Sequence, residues 1–308
     1  MKILLFGKNG QVGWELQRSL SPLGELIALS SSSNELCGDL SNLTRIAQTI
    51  QTVKPAIIVN AAAYTAVDKA ESEPQPAQTL NTEAPRVIAQ EARKLGAWLV
   101  HYSTDYVFDG NGKYFYSETD DTAPLNVYGQ TKLAGEKYIR TSGCAHLIFR
   151  TSWVYATSGN NFIKTILRLA QQRDKLSVVN DQIGSPTGAE LIADVTANAL
   201  LALRHTPDAS GLYHLTASGS TSWYGFAKFI LEQAERADLS LKTRTAQLEA
   251  INSDNYPLPA KRPLNSCLNT EKLKTTFGFY LPPWELGASR TIHEIISLSS
   301  NQEKILRN

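Results

Sequence analysis

Ile3-Leu4-Leu5-Phe6-Gly7-Lys8-Asn9-Gly10-Gln11-Val12-Gly13 is the stretch that decides the fold. Its first four residues form a continuous apolar run, the pattern of a strand buried on both faces of a parallel sheet. The amphipathic residues 14–20 follow, so the segment reads as strand, glycine turn, helix. In such a unit Gly7 and Gly10 allow a tight turn and the close approach of a pyrophosphate to the helix N-terminus. Gly13 lets helix and strand pack closely. Asn9, Gln11 and Val12 share the turn, and the whole predicts a dinucleotide site.

Outward from the turn, strand and helix patterns alternate through the first half. Residues 26–29, 56–60, 97–103 and 145–150 read as buried strands, and 42–53, 78–95, 129–142 and 161–173 as helices. This predicts an α/β fold, a Rossmann-type doubly wound parallel sheet with a smaller C-terminal substrate-binding lobe. With 308 residues the chain has room for about two domains of ~150 residues. We expect an NAD(P)-binding Rossmann domain over 1–150, with later segments returning to it, and mainly a substrate-binding lobe over 151–308. In the second half, loop signals at 182–186, 218–222 and 255–263 separate helices near 187–203, 223–236 and 284–299. The last ten residues are expected to fray.

Hydrophobic content of 42%, charged content of 19% and a net charge of +1 describe a globular chain without a basic surface for nucleic acid. No apolar run nears the ~20 residues a membrane span needs, and the N-terminus carries no charged-then-apolar leader, so the cytoplasm is the expected compartment. Cys37, Cys144 and Cys267 are too few and too scattered for a disulfide framework or a zinc cluster, and read as reduced, buried thiols. The five histidines, at 101, 146, 205, 214 and 293, lack metal-ligand spacing and read as packing or surface residues.

Tyr128 and Lys132 stand four apart at the start of a predicted helix, so both project from one face. A free tyrosine titrates at about 10, and a neighbouring ammonium favours its ionised form, which makes the pair a tunable proton donor. Two loops at strand ends add to this. Ala61-Ala62-Ala63-Tyr64-Thr65 offers small residues against which a cofactor can lie, and Tyr102-Ser103-Thr104-Asp105 sets the Thr104 hydroxyl across the cleft from Tyr128. The second strand ends in Ala28-Leu29-Ser30-Ser31-Ser32-Ser33, with no carboxylate before Glu35. An acid there would hold a ribose 2′-hydroxyl and repel a 2′-phosphate. Ser30 therefore predicts use of NADPH at least as readily as NADH, with Asp39 and Leu40 reaching the adenine end.

The spacing G-x-x-G-x-x-G is that of the short-chain dehydrogenase/reductases, and longer blocks narrow the match. Residues 4–16, 59–71 and 102–108, with Tyr128-Gly129-Gln130-Thr131-Lys132, Arg150-Thr151-Ser152-Trp153-Val154-Tyr155 and Gly184-Ser185-Pro186-Thr187-Gly188, occur in one order. On them the chain resembles the dTDP-4-dehydrorhamnose reductases, extended members of that superfamily, over nearly its whole length. The resemblance implies reduction of the C4 ketone of dTDP-4-dehydro-L-rhamnose by NAD(P)H, the last step of dTDP-L-rhamnose synthesis. Tyr128 would give the proton, Lys132 would hold the nicotinamide ribose and lower the Tyr128 pKa, and Thr104 would bond the same oxygen. Asp105 joins Thr104 in contacting substrate, Trp153 would pack on the sugar, and Arg262 suits the diphosphate. The resemblance further implies a homodimer linked by Mg²⁺ on Glu15, Glu190 and Glu294.

Two rivals stand beside this reading. A nucleotide-sugar dehydratase carries Thr-Asp-Glu, because eliminating water needs a second carboxylate; here Tyr106 follows Thr104-Asp105. The family also resembles the regulatory beta subunit of methionine adenosyltransferase, which binds without catalysing; the intact Thr104, Tyr128 and Lys132 favour an enzyme.

Overall fold

Apolar runs without alternation need cover on both faces, and the architecture supplies it. The structure is a computed structural model that describes residues 1–203, 205–206 and 208–305. Strands β1 (Lys2–Phe6), β2 (Glu25–Leu29), β3 (Ile57–Asn60), β4 (Trp98–Thr104) and β5 (His146–Thr151) alternate with helices α1 (Gln11–Leu20), α2 (Leu43–Val53), α3 (Val67–Ser72), α4 (Pro74–Gln78), α5 (Ala84–Leu95) and α6 (Val127–Thr141). There follow β6 (Val154–Tyr155), α7 (Phe162–Gln172), β7 (Leu176–Val179), β8 (Ile183–Gly184), β9 (Thr187–Gly188), α8 (Ala189–Ala202) and β10 (Gly211–His214). The chain ends with β11 (Thr221–Ser222), α9 (Trp223–Arg236), β12 (Leu248–Ile251), α10 (Glu271–Phe277) and α11 (Trp284–Ile305).

The main sheet runs β10-β5-β4-β3-β1-β2, and every neighbouring pair is parallel. Alternate residues of its strands enter two cores. Ile3, Leu5, Val59 and Val100 pack under Leu16 and Leu20 of α1 and Ile192 and Leu200 of α8. Leu4, Phe6, Ile58 and Leu99 pack under Ile46 and Ile50 of α2, Ile88 of α5 and Ile139 of α6. Each such side chain removed from water contributes about 1.5–3 kcal/mol. A third core gathers Ile163 and Leu167 of α7, Phe226 and Ile230 of α9, and Trp284 and Ile292 of α11.

From β1 the chain goes to β2 on one side and later returns as β3 on the other. At such a switch point a crevice opens beyond the carboxyl ends of the strands. The loops leaving β1 and β3 meet there, where the Ala61 N–H donates to the Phe6 carbonyl at 3.0 Å.

One feature departs from the sequence expectation. The helix expected over 78–95 breaks into α4, a π turn over Thr79–Glu83, and α5. Pro85 explains the break, since it has no N–H to give to the Asn81 carbonyl one turn back. The main sheet takes β10 from the second half of the chain, where the sequence expectation has later segments return to it without naming a strand. No helix among the described residues is long and apolar enough to cross a membrane. α11 continues to Ile305, and the rest of the end expected to fray lies outside the described residues.

Candidate active site

The turn after β1 is built as the glycines require. Gly7 has φ +89°, and a Cβ on it would stand 2.7 Å from the Ala62 nitrogen. The N–H groups of Gly7 and Lys8 both donate to the Leu29 carbonyl, at 2.9 and 3.1 Å, so the turn is tied to the end of β2. A Cβ on Gly13 would come 2.0 Å from the Gly7 oxygen. Gly10 is the N-cap of α1 and no side chain caps that end, which leaves the first amides of the helix for an anion. Gln11 reaches sideways, its Oε1 accepting from Asn161 Nδ2 at 2.9 Å, while Asn9 is exposed and Val12 packs on the core.

Beyond the turn, the buried Ser30 hydroxyl lies 3.0 Å from that of Ser32, and its N–H donates to Ser33 Oγ at 3.0 Å. Asp39 uses Oδ1 to accept from the Ser41 N–H and hydroxyl, at 3.0 and 2.8 Å, and Leu40 is buried in the core. Of the residues after β3, Ala61, Ala62, Ala63 and Tyr64 are half-buried and Thr65 is exposed. Tyr64 is held by Asn81 of the π turn, whose side chain accepts from its N–H at 2.9 Å and donates to its carbonyl at 3.1 Å.

Asn126 starts α6 by accepting the Gly129 N–H at 2.8 Å and anchors the start by donating to the Lys261 carbonyl at 2.8 Å. That fixes the first turn, which carries Tyr128. Thr104 ends β4 and accepts from the Tyr106 N–H at 3.1 Å while donating to Asp105 Oδ1 at 3.0 Å. Burial pushes the Tyr128 phenol up to about 12 and the Asp105 charge adds to this, while a hydrogen bond with Thr104 acts the other way. Lys132 does not bring the phenol down, contrary to the sequence expectation. Its ammonium is buried and turned to the sheet, donating to the Tyr102 carbonyl at 2.5 Å with His101 Nε2 at 3.3 Å. Burial pulls Lys132 down to about 8 against the opposing charge of Glu136. Asp105 is held up to about 6 by burial, against hydrogen bonds from Ser266 and Thr104.

The expected substrate contacts are differently placed. Trp153 has φ +49° and stacks on Trp223, with ring centroids 3.5 Å apart and planes at 8°. That stack leaves one face at most for a sugar. Arg262 does not stand free for a diphosphate. Its Nη1 and Nη2 hold the two carboxylate oxygens of Asp68, each at 2.7 Å, and Nη1 also donates to the Ala260 carbonyl at 2.7 Å. A planar guanidinium matched to a carboxylate in this way is already satisfied on that edge.

Comparison with known proteins gives this geometry a context. Residues 1–297 match the family described as RmlD substrate binding domain. The dTDP-4-dehydrorhamnose reductase of Escherichia coli (strain K12) is 55% identical over 300 residues, covering 97% of this chain and all of that protein. The crystal structure of a dTDP-4-dehydrorhamnose reductase from Clostridium acetobutylicum superposes with a TM-score of 0.85 at 34% identity, covering 96% of this chain and 99% of that one. The reductase from Bacillus anthracis, solved in complex with NADP, gives 0.83 at 35% identity, covering 95% and 99%. The chain belongs to the dTDP-4-dehydrorhamnose reductase family.

The Mg²⁺ expectation on Glu15, Glu190 and Glu294 finds no support in this arrangement. The three acids do approach one another. Burial raises Glu190, Arg290 opposes this, and the charges of Glu294 and Glu15 add to the rise. Guanidinium groups stand among them: Arg18 lies 3.6 Å from Glu15, and Arg290 lies 3.7 Å from Glu190 and 3.4 Å from Glu294. Among the described residues no group of three or more His, Cys, Asp or Glu side chains is placed to hold a metal ion.

The reductase site also uses residues that sequence reading passed over. Arg150 and Glu136 form a buried bidentate pair at 3.0 and 2.7 Å, and the Ser103 hydroxyl donates to the same carboxylate. This clamps α6 to β4 and β5 one turn beyond Lys132. Glu136 and Arg150 carry a signal only as opposite charges within otherwise apolar elements. His101 and Trp223 carry none, because only the tertiary fold sets them against Lys132 and Trp153. Cys37, Cys144 and Cys267 are free and buried, as expected.

Proposed function

We propose that the chain reduces the C4 ketone of dTDP-4-dehydro-L-rhamnose to dTDP-L-rhamnose with NADPH, NADH serving as a second donor. Bound NADPH supplies the hydride that C4 of the sugar receives. The observation that carries the reading is the half-buried Tyr128 phenol, on which both Asp105 and Thr104 at the carboxyl end of β4 act. Raised to about 12, that phenol keeps its proton at neutral pH and gives it to the C4 oxygen as negative charge develops there. Thr104 bonds the same oxygen and steadies the charge. Lys132 serves the ribose side of the cofactor, and the bare N-terminus of α1 takes the pyrophosphate.

Gly7, Gly10 and Gly13 make a cradle that added Cβ atoms at 7 and 13 would fill, which supports a dinucleotide there. Ser30, in place of an acid, supports NADPH. The division of labour proposed is a cofactor domain over 1–150, completed by α8 and β10, and a substrate lobe built from the rest of 151–308. Trp153 serves the sugar, and the Asp68–Arg262 pair stands near enough to act on Tyr106. A cytoplasmic homodimer is part of the same reading. Turnover of the keto-sugar with NADPH, followed by loss of reduced-nicotinamide absorbance and by identification of the sugar product, tests it. The expected product is dTDP-L-rhamnose, one formed per NADPH oxidised. Binding of NADPH without turnover would instead make the chain a regulatory subunit.

A further inference from the structure

Trp153 leaves the end of β5 in a conformation that its side chain disfavours. Its φ of +49° lies in the left-handed region, where a bulky residue is an outlier, and such a state persists only where neighbours hold it. The neighbours belong to a short ribbon. β8 and β11 pair antiparallel, Gly184 with Thr221 and Ile183 with Ser222, and the Trp223 N–H extends the ladder by donating to the Gln182 carbonyl at 3.4 Å. A Cβ on Gly184 would stand 2.5 Å from Cε2 of the Trp153 indole, 2.7 Å from Nε1 and 2.8 Å from Cζ2. Cε2 is recessed at the ring fusion, so an approach nearest to it comes over a face and not against the rim. The other face carries the Trp223 indole, 3.5 Å away between centroids with planes at 8°. Trp153 is thus the middle layer of three, and its half-buried indole leaves a rim for substrate.

Aromatic pairs left to themselves prefer offset or edge-to-face arrangements, so a stack this close to face-to-face is imposed by what anchors the two rings. Trp223 opens α9, where Ser222 caps the helix by accepting the Gly225 N–H at 2.9 Å and donates to Asn180 Oδ1 at 2.6 Å. Phe162 of α7 lies against Trp223, with centroids 4.5 Å apart. On the other side, the Ser152 hydroxyl donates to the Ser185 carbonyl at 3.1 Å, and the Trp153 carbonyl accepts from the Thr187 N–H at 3.2 Å. Those bonds hold the backbone at Trp153 and leave the plane of its ring to Trp223 and Gly184. Thr151, two residues earlier, is the register partner of Thr104, so the stack rises from the sheet beside the residue that bonds the reacting oxygen. We propose that Trp223 is a positioning residue for the reduction: it fixes the plane of the Trp153 indole, and with it the rim that meets the sugar.

The inference rests on the reductase reading in giving Trp153 to the sugar, and part of its test is separate from turnover. Two indoles stacked this closely couple their electronic transitions, so the wild-type protein should show an exciton couplet in far-ultraviolet circular dichroism. Trp153→Phe and Trp223→Phe should each abolish it. With the keto-sugar and NADPH, Trp223→Leu should raise the sugar KM by roughly tenfold, the scale of an aromatic pair, with kcat and NADPH affinity within about threefold. Trp223→Phe keeps a ring in the layer and should recover most of that loss. Gly184→Ala pushes the indole from its opposite face and should raise the same KM. A wild-type protein without the couplet, or a Trp223→Leu protein with an unchanged sugar KM, would overturn the proposal. So would losses in kcat and NADPH affinity as large as the rise in KM, the mark of a general loosening. Should the variants not fold, titration of the wild-type protein decides: dTDP-L-rhamnose should alter the couplet, and dTDP, which lacks the sugar, should not. A couplet that both alter alike, or neither alters, would overturn the proposal as well. A protein that reduces no ketone, yet changes its couplet with dTDP-L-rhamnose alone, would remove the reductase reading and leave this one standing.

Discussion

At Tyr128 the difference between a phenol and a phenyl ring isolates the proton from the packing. Tyr128→Phe keeps the edge-on contact with Tyr106, whose ring centroid is 5.8 Å away, and loses only the hydroxyl and its bond with Thr104. We predict that single-turnover reduction falls by roughly 10²–10⁴ while NADPH affinity stays within a few-fold, the loss typical of a general acid. A loss below tenfold would assign the proton to another group. The Tyr-x-x-x-Lys spacing was legible in the sequence because an α-helix sets i and i+4 on one face whatever surrounds it. The direction of the Lys132 charge was not legible. It depends on the Tyr102 carbonyl and His101, which β4 brings from thirty residues away. Arg262 teaches the same lesson from the other side: its charge was visible, and its partner Asp68 was not, because the two are 194 residues apart in the chain.

At the scale of elements, the first βα unit makes two glycines unequal in a way that spacing alone does not. A Cβ at position 13 would run into the Gly7 oxygen at 2.0 Å, whereas one at position 10 would meet that oxygen at an ordinary 3.4 Å. Gly13→Ala should therefore destabilise the protein by on the order of 3 kcal/mol, since β1 and α1 must part to admit the methyl. Gly10→Ala should cost about 1 kcal/mol, as expected of a lost N-cap preference. Urea unfolding of both variants checks this, and equal losses would show that the turn yields where it is drawn tight. At the neighbouring β2 end, Ser30 to Ser33 leave no carboxylate to repel a 2′-phosphate, so kcat/KM for NADPH should equal or exceed that for NADH. A tenfold preference for NADH, about 1.4 kcal/mol, would mean that another residue restores the discrimination. The five strands of the first half were legible because a continuous apolar run fits a strand covered on both faces. β10 was hidden because Gly211 to His214 is short and joins β5 across sixty residues of other structure. The π turn was hidden because the 78–95 pattern stays helical through it, and only Pro85 marks where a backbone N–H is missing.

Across the whole molecule, buried charges leave a signature in the dependence of stability on pH. Burial raises Asp105 to about 6, so the folded chain binds its proton more tightly than the unfolded chain does, where an aspartic acid titrates at about 3.9. Its contribution to stability is fully present below pH 4 and is lost as the pH rises through 6. His214, lowered to about 3 by burial and by Arg150, works against this. The unfolded chain takes up that proton first as the pH falls, so stability rises with pH between 3 and 6.5 on its account. Lys132, lowered to about 8, adds a third window in which stability rises with pH, from 8 to about 10.5. The wild-type curve sums these opposed slopes, and only a difference between proteins separates them. Asp105→Asn removes one titration and keeps a side chain of the same shape that can still bond Thr104. The variant should therefore gain on the wild type as the pH rises from 4 to 8, by on the order of 2–3 kcal/mol for a shift of about two units. Urea unfolding of both proteins at pH 4, 6 and 8 measures the gap. A gap that does not widen with pH would show that Asp105 is ionised at little cost in the folded state, with its hydrogen bonds from Ser266 and Thr104 outweighing its burial.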